Sequence, residues 1–224
     1  MQQLILELAP PPAPSLENYF PGRNRAALAA LREALAGTER FVYLWGQAGS
    51  GKTHLLLGFS NALQQAGQEA RYMCAPQAEL SVNAEAIALD DVERLDIAGQ
   101  LALFDLYNSL RLSGGRLVAT GHAPPAALAL REDLRTRIGS GLVLQLHPLS
   151  EPEKREALVL HALGRGLRLG DDILEYVITR YPRDMGTQVA VIDALDRLSL
   201  QAKRPATLQL LREALKAGNP FPKH

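Results

Sequence analysis

Gly46-Gln47-Ala48-Gly49-Ser50-Gly51-Lys52-Thr53 decides how the rest of this sequence is read. The octet has the form G-x-x-x-x-G-K-[ST], the phosphate-binding loop of nucleoside-triphosphatases. Its glycines let successive backbone N–H groups turn inward toward phosphate oxygens, which makes an anion-binding concavity. Lys52 supplies a mobile positive charge for the outer phosphates, and the Thr53 hydroxyl is placed to ligate Mg2+. The flanks agree with the loop. Phe41-Val42-Tyr43-Leu44-Trp45 is a β-prone apolar run ending at the first glycine, and from His54 to Leu63 apolar residues recur at helical spacing. The loop is therefore expected at a helix N-terminus, where the dipole favours anions.

A chain of 224 residues, 47% hydrophobic and 21% charged, is long enough for one α/β core and a small second domain. Its 24 basic side chains balance 24 acidic ones, which argues against holding nucleic acid by bulk charge. The charge is unevenly spread. Residues 76–110 hold seven acids against Arg94 alone, and residues 111–140 hold five arginines against Glu132 and Asp133. Solvated faces are the ordinary cause of such runs, but the order also suits a metal-phosphate site followed by an anion-seeking edge. Cys74 is the sole cysteine, so no disulfide framework or cysteine metal set is available. It is expected as a small buried residue in a reducing compartment. No apolar run approaches the roughly 20 residues of a membrane span, and the N-terminal apolar patch lacks a basic leader. A cytoplasmic protein is expected.

Upstream of the loop, Pro10-Pro11-Pro12-Ala13-Pro14 reads as a semi-stiff tether. Leu4, Leu6 and Leu8 would share one side of an extended chain. The residues alone leave two readings of that stretch: an edge strand of the core, or a short linear motif held away from the body. A turn-rich entry, 16–25, leads into a helix over Ala26 to Leu35 that stops at Gly37.

Downstream, Gly67 ends the long helix and Glu69 to Cys74 reads as a second strand. Ala84-Glu85-Ala86-Ile87-Ala88-Leu89-Asp90-Asp91-Val92 is an apolar strand closing on carboxylates. Asp90 is the expected Mg2+ partner of the phosphate loop, and Asp91 can orient or deprotonate an attacking water. A helix over Ile97 to Leu112 and a strand over Arg116 to Thr120 follow, with Thr120 and His122 as polar residues able to sense a γ-phosphate at the strand tip. Leu134-Arg135-Thr136-Arg137-Ile138-Gly139-Ser140-Gly141 reads as a loop before a strand over Leu142 to Leu146. Its arginines are either ordinary surface residues or fingers that reach a neighbour's nucleotide. Beyond Pro148 the pattern is all-helical. Ser150-Glu151-Pro152-Glu153 is a capping box opening a helix to about Gly164. Further helices are expected over Asp171 to Tyr181, Asp184 to Ala202 and Thr207 to Ala217. Val189, Ile192, Leu195 and Leu198 make an apolar stripe in the third of these four helices, and Arg183 stands at its entrance.

On these motifs, together with Phe104-Asp105-Leu106-Tyr107-Asn108, Thr120-Gly121-His122-Ala123-Pro124-Pro125 and Arg183-Asp184-Met185, residues 16–217 resemble the AAA+ ATPases of the bacterial replication-initiator clade, DnaA and its shorter relatives. Within the clade the chain is most similar to the regulatory inactivators of DnaA, and it stops before the DNA-binding helix-turn-helix domain of DnaA would fit. The resemblance implies a parallel five-stranded α/β sheet flanked by helices over 16–148 and a small helical lid over 149–224. It implies that Gly46, Gln47, Ala48, Gly49, Ser50, Gly51, Lys52 and Thr53 bind nucleotide (ADP or ATP), with Thr53 and Asp90 on Mg2+ and Asp91 beside them. His122 stands at the sensor-one position, usually Asp, Arg183 at sensor two, and Arg137 at the arginine finger. Gln3, Leu4, Leu6 and Leu8 match, in outline, the motif that docks on the β sliding clamp of DNA polymerase III, with Glu7 where proline is common. Residues 1–15 would then be a clamp-binding motif and tether.

The function implied is negative regulation of replication initiation, with Arg137 presented to ATP on DnaA and hydrolysis stimulated in trans. Direct sequence-specific DNA binding and membrane association are not expected; self-association is compatible with the family. Two rivals stand beside it. One is an autonomous AAA+ ATPase such as a helicase loader, and the other an adaptor in which nucleotide only stiffens the fold.

Overall fold

The computed structural model describes residues 13–81, 84–182 and 184–217, which divide into a unit over 13–148 and a helical unit that begins at Leu149. Strands β1 (Phe41–Gly46), β2 (Ala70–Cys74), β3 (Ala86–Asp90), β4 (Arg116–Gly121) and β5 (Leu142–Leu146) form one parallel sheet in the order β2-β3-β4-β1-β5. The five-stranded parallel arrangement expected from the sequence is therefore present.

Side-chain alternation sorts the two faces of the sheet. Val42, Leu44, Ala86, Ala88 and Val118 pack under α1 (Arg25–Ala36) and α2 (Lys52–Gln65), among Leu28, Leu31, Leu55, Leu56 and Phe59. Tyr43, Ile87, Leu89, Leu117 and Ala119 pack under α3 (Ile97–Ser113) and α4 (Glu132–Gly139), with Leu103, Leu106, Leu134 and Ile138. Both faces of β3 are covered, as its near-continuous apolar run requires. The alanines on the α2 side of β3 keep that face shallow, so the helix that follows the loop lies close to the strand that carries Asp90.

The strand order positions the site. β4 lies between β1 and β3, so its C-terminal tip separates the end of the loop strand from the end of the acid strand. Ligands of such sheets gather at the strand C-terminal ends.

Two local expectations are corrected. The segment around Arg135 and Arg137 is helix α4, not a loop, because Asp133 and Glu132 support its first turn while Leu134 and Ile138 bury at helical spacing. Cys74 is half-buried, since β2 is an edge strand and its last residues are covered on one side.

In the helical unit, α5 (Glu151–Gly164) opens with the reciprocal Ser150–Glu153 capping box. It is followed by α6 (Asp171–Arg180), α7 (Met185–Ala202) and α8 (Leu208–Ala217). Val191, Ile192, Leu195 and Leu198 of α7 bury against Leu158, Ile173, Leu174, Val177, Leu210 and Leu211, with Val189 partly buried beside them. Asp193 is a buried charge in this bundle. It takes hydrogen bonds from His161 Nε2 at 2.6 Å and Arg165 Nε at 2.8 Å, which tie α5 to α7. Among the described residues no helix is long and apolar enough to cross a membrane.

Candidate nucleotide site

The loop is shaped by close approach as much as by flexibility. Gly46 lies so near the end of β5 that a Cβ there would meet the Leu146 carbonyl oxygen at 2.3 Å. Gly51 caps α2 in the left-handed region, φ +91°, and a Cβ would stand 2.8 Å from the Tyr19 ring. Tyr19 belongs to the segment before α1. Its hydroxyl donates to the Ser50 carbonyl at 3.4 Å and accepts from Asn24 Nδ2 at 3.1 Å. Asn24 in turn bonds both the N–H and the carbonyl of His147 at 2.8 Å, so the entry segment is stitched to the end of β5 beside the loop. The neighbouring His54 ring bonds Ser15 and Asn18, and burial pushes its pKa down.

Lys52 Nζ donates to the carbonyls of Gly46 at 2.7 Å and Gln47 at 3.3 Å, folding the ammonium back over the loop. Ser50 Oγ is buried and, among the described residues, has no hydrogen-bond partner. A polar atom buried without a partner is costly. Here it sits inside a glycine loop at a helix N-terminus, next to a lysine, which is the donor set of a phosphate cradle. The residues present fit a nucleotide.

Asp90 is 2% exposed at the end of β3, and it is held by hydroxyls. Thr53 donates to its Oδ2 at 2.5 Å, Tyr72 to the same oxygen at 3.2 Å, and Thr120 to Oδ1. A threonine that donates its proton to Asp90 keeps its oxygen lone pairs free for a cation, so the Thr53–Asp90 pair fits Mg2+. Asp91 leaves the strand line in the left-handed region, φ +57°, a conformation Asp tolerates better than most residues. Its N–H donates to Thr120 Oγ1 at 3.2 Å, and its carboxylate lies 3.6 Å from Arg94. Burial raises the Asp91 pKa first, and the charges of Asp90 and Glu93 raise it further, against the opposing pull of Lys52 and Arg94.

His122, just past the tip of β4, is 63% exposed, and its Nδ1 pairs with Glu93 Oε1 at 2.9 Å. Tyr43 anchors the same tip by donating to the Ala123 carbonyl at 2.8 Å, and burial, with the Glu93 charge behind it, pushes its phenol up. Arg137 lies elsewhere. It occupies the last turn of α4, half-buried, with its guanidinium carbon 5.7 Å from the centroid of Phe104 on α3. No carboxylate among the described residues pairs with it.

The structure thus gathers Gly46–Thr53, Asp90, Asp91, Thr120 and His122 at the C-terminal edge of the sheet and sets Arg137 apart. Arg183, Gln3, Leu4, Leu6 and Leu8 lie outside the described residues. Sequence reading missed Tyr19, Tyr72 and Glu93. Tyr72 carried a faint signal, because it faces Ala88 across the strand pair and alternation puts it on the side of Asp90.

Residues 151–215 match the family described as "Hda, lid domain". The chain is similar in fold to domain III of the Thermotoga maritima replication initiation protein DnaA, with 23% identity, TM-score 0.69, and coverage of 96% of this chain and all of that one. It is similar to DnaA of Aquifex aeolicus solved with AMPPCP bound, at 22% identity and TM-score 0.65, over 84% of this chain and 65% of that one. The Thermotoga maritima RuvB Holliday junction branch migration motor matches at 18% identity and TM-score 0.63, over 96% and 74%. In fold the chain is therefore similar to domain III of DnaA, and its residues 151–215 are similar to the lid domain of the Hda family.

Proposed function

We propose that this protein is a nucleotide-dependent regulator of replication initiation that acts on DnaA through Arg137. The observation that carries the reading is the isolation of that guanidinium. It is braced on Phe104, half-exposed, and without a carboxylate partner among the described residues. A cation held in this way remains available to an anion outside its own fold. It suits the spreading negative charge of a phosphoryl group on another molecule, where arginine fingers contribute about 10³–10⁵ in rate. The Hda lid match and the DnaA-like fold make DnaA the natural recipient.

In this reading ADP or ATP occupies the protein's own loop. Lys52 and the loop N–H groups hold its phosphates, and Thr53 with Asp90 holds Mg2+. AMPPCP bound to the Aquifex aeolicus relative supports a nucleotide in this fold. The Gln3–Leu8 motif would park the molecule on the DNA-loaded sliding clamp, and Arg183 would serve as the sensor-two arginine. The test is hydrolysis of DnaA-bound ATP with clamp loaded on DNA. Arg137→Ala is expected to abolish stimulation while retaining nucleotide binding; full stimulation by the variant would end the proposal.

The intact Thr53–Asp90–Thr120 cluster favours, as a second reading, turnover in cis. Against it, a Glu93-tethered imidazole stands where the family usually has Asp. Purified protein alone, without DnaA or clamp, is expected to hydrolyse ATP poorly, and vigorous turnover would favour the autonomous ATPase.

A further inference from the structure

Asp90 has more donors than a cation site needs. Each carboxylate oxygen offers two in-plane lone pairs, and Oδ2 already takes one proton from Thr53 and a second from Tyr72. The Thr53 bond is compatible with a bound cation, since the hydroxyl oxygen remains free to coordinate. The Tyr72 bond is different. At 3.2 Å it is longer than the 2.5 Å bond from Thr53, and it comes from edge strand β2, where Tyr72 stands opposite Ala88. A cation such as Mg2+ keeps several of its waters, and those waters donate to nearby carboxylates. On Oδ2 the lone pair available to such a water is the one Tyr72 fills.

We propose that Tyr72 is a positioning residue that occupies this lone pair of Asp90 in the cation-free protein and thereby sets the Mg2+ concentration at which nucleotide is held. The inference rests on the reading of Gly46–Thr53 and Asp90 as a Mg2+-nucleotide site. Without Tyr72 the buried carboxylate would keep only Thr53 and Thr120. With it, cation binding must displace one hydrogen bond, and the site fills at a higher Mg2+ concentration.

Tyr72→Phe removes the hydroxyl and keeps the ring. Binding of a fluorescent ADP, titrated over a series of free Mg2+ concentrations, reads the effect without any turnover. The Mg2+ midpoint of the variant is expected to fall about fivefold, the worth of one net hydrogen bond, while ADP affinity in EDTA stays at the wild-type level. Tyr72→Met, which also lacks the hydroxyl, should shift the midpoint the same way, and cooperative thermal unfolding of both variants checks the fold. A midpoint that is unchanged or raised, or that moves oppositely in the two variants, overturns the role of Tyr72. Wild-type protein whose ADP binding ignores Mg2+ would instead overturn the site reading beneath it.

Discussion

Asp90 and Arg137 make an instructive pair. The carboxylate is buried and surrounded by hydroxyls from three different strands and helices of its own unit. The guanidinium is half-buried against the Phe104 ring and pairs with no carboxylate among the described residues. A charge so thoroughly provided for serves the chain that carries it, because without those partners a buried carboxylate would be left unsatisfied. A charge held in place yet left without a counter-ion costs its own fold little and is free for use elsewhere. The difference gives each residue a distinct mutational signature, and these signatures can break the comparison.

The largest contrast is expected at Arg137. Arg137→Ala should reduce stimulation of DnaA-bound ATP hydrolysis by about 10³ or more. Its thermal midpoint should move little, since a cation–π contact that is still partly exposed is worth only about 1 kcal/mol. A large fall in stability would place Arg137 in the same class as Asp90 and undo the contrast. Next in size is Lys52→Ala, which removes the charged donor now folded over the Gly46 and Gln47 carbonyls. Loss of a charge-assisted hydrogen bond predicts nucleotide binding weakened about 10- to 100-fold in equilibrium titration. Affinity within twofold of wild type would remove the loop from the site.

Thr120→Val sharpens the other side of the comparison. The substitution keeps shape but withdraws the donor to Asp90 Oδ1 and the acceptor for the Asp91 N–H. A cost of about 1–3 kcal/mol in chemical denaturation is expected, with stimulation of DnaA falling only as far as nucleotide binding does. An unchanged stability would mean that the hydroxyl cluster does not hold the acid in place.

How much of this was legible beforehand depended on the range of the interaction. Gly46–Thr53 and the Ala86–Asp90 run declared the sheet and its candidate nucleotide edge, because their signals are local periodicity and fixed spacing. The Ser150 capping box likewise needed only four consecutive residues. The hydroxyl cage was not legible. Tyr72 and Thr120 reach Asp90 from sequence distances of 18 and 30 residues, and only the strand order makes them neighbours. Glu93 was passed over for a different reason. It sits in a short 3-10 turn after Asp91, whose left-handed backbone reverses the direction that strand alternation would have given. The α4 helix was read as a loop because Gly139 and Gly141 bracket its end, although Leu134 and Ile138 already carried a four-residue period.

The smallest expected effect separates two kinds of acid within the site. Asp91, unlike Asp90, is only partly covered, and its pKa is raised by burial and by the charges of Asp90 and Glu93. A carboxylate whose folded pKa lies above its unfolded value binds its proton more tightly in the folded state. Folding is therefore favoured by that group below the usual carboxylate range, and the advantage is lost as pH rises through the raised folded pKa. Asp91→Asn, in the absence of Mg2+ and nucleotide, should raise the thermal midpoint modestly at pH 7, where the wild-type carboxylate is charged beside two others. The gain should shrink as pH falls and vanish well below the usual carboxylate range, where Asp91 is protonated in both states. The same substitution at a residue as well supplied with donors as Asp90 would destabilise at neutral pH. A midpoint for Asp91→Asn that falls at pH 7 would therefore mean that Asp91 is held by partners as firmly as its neighbour, and that the crowding of charge at this edge costs the free protein nothing.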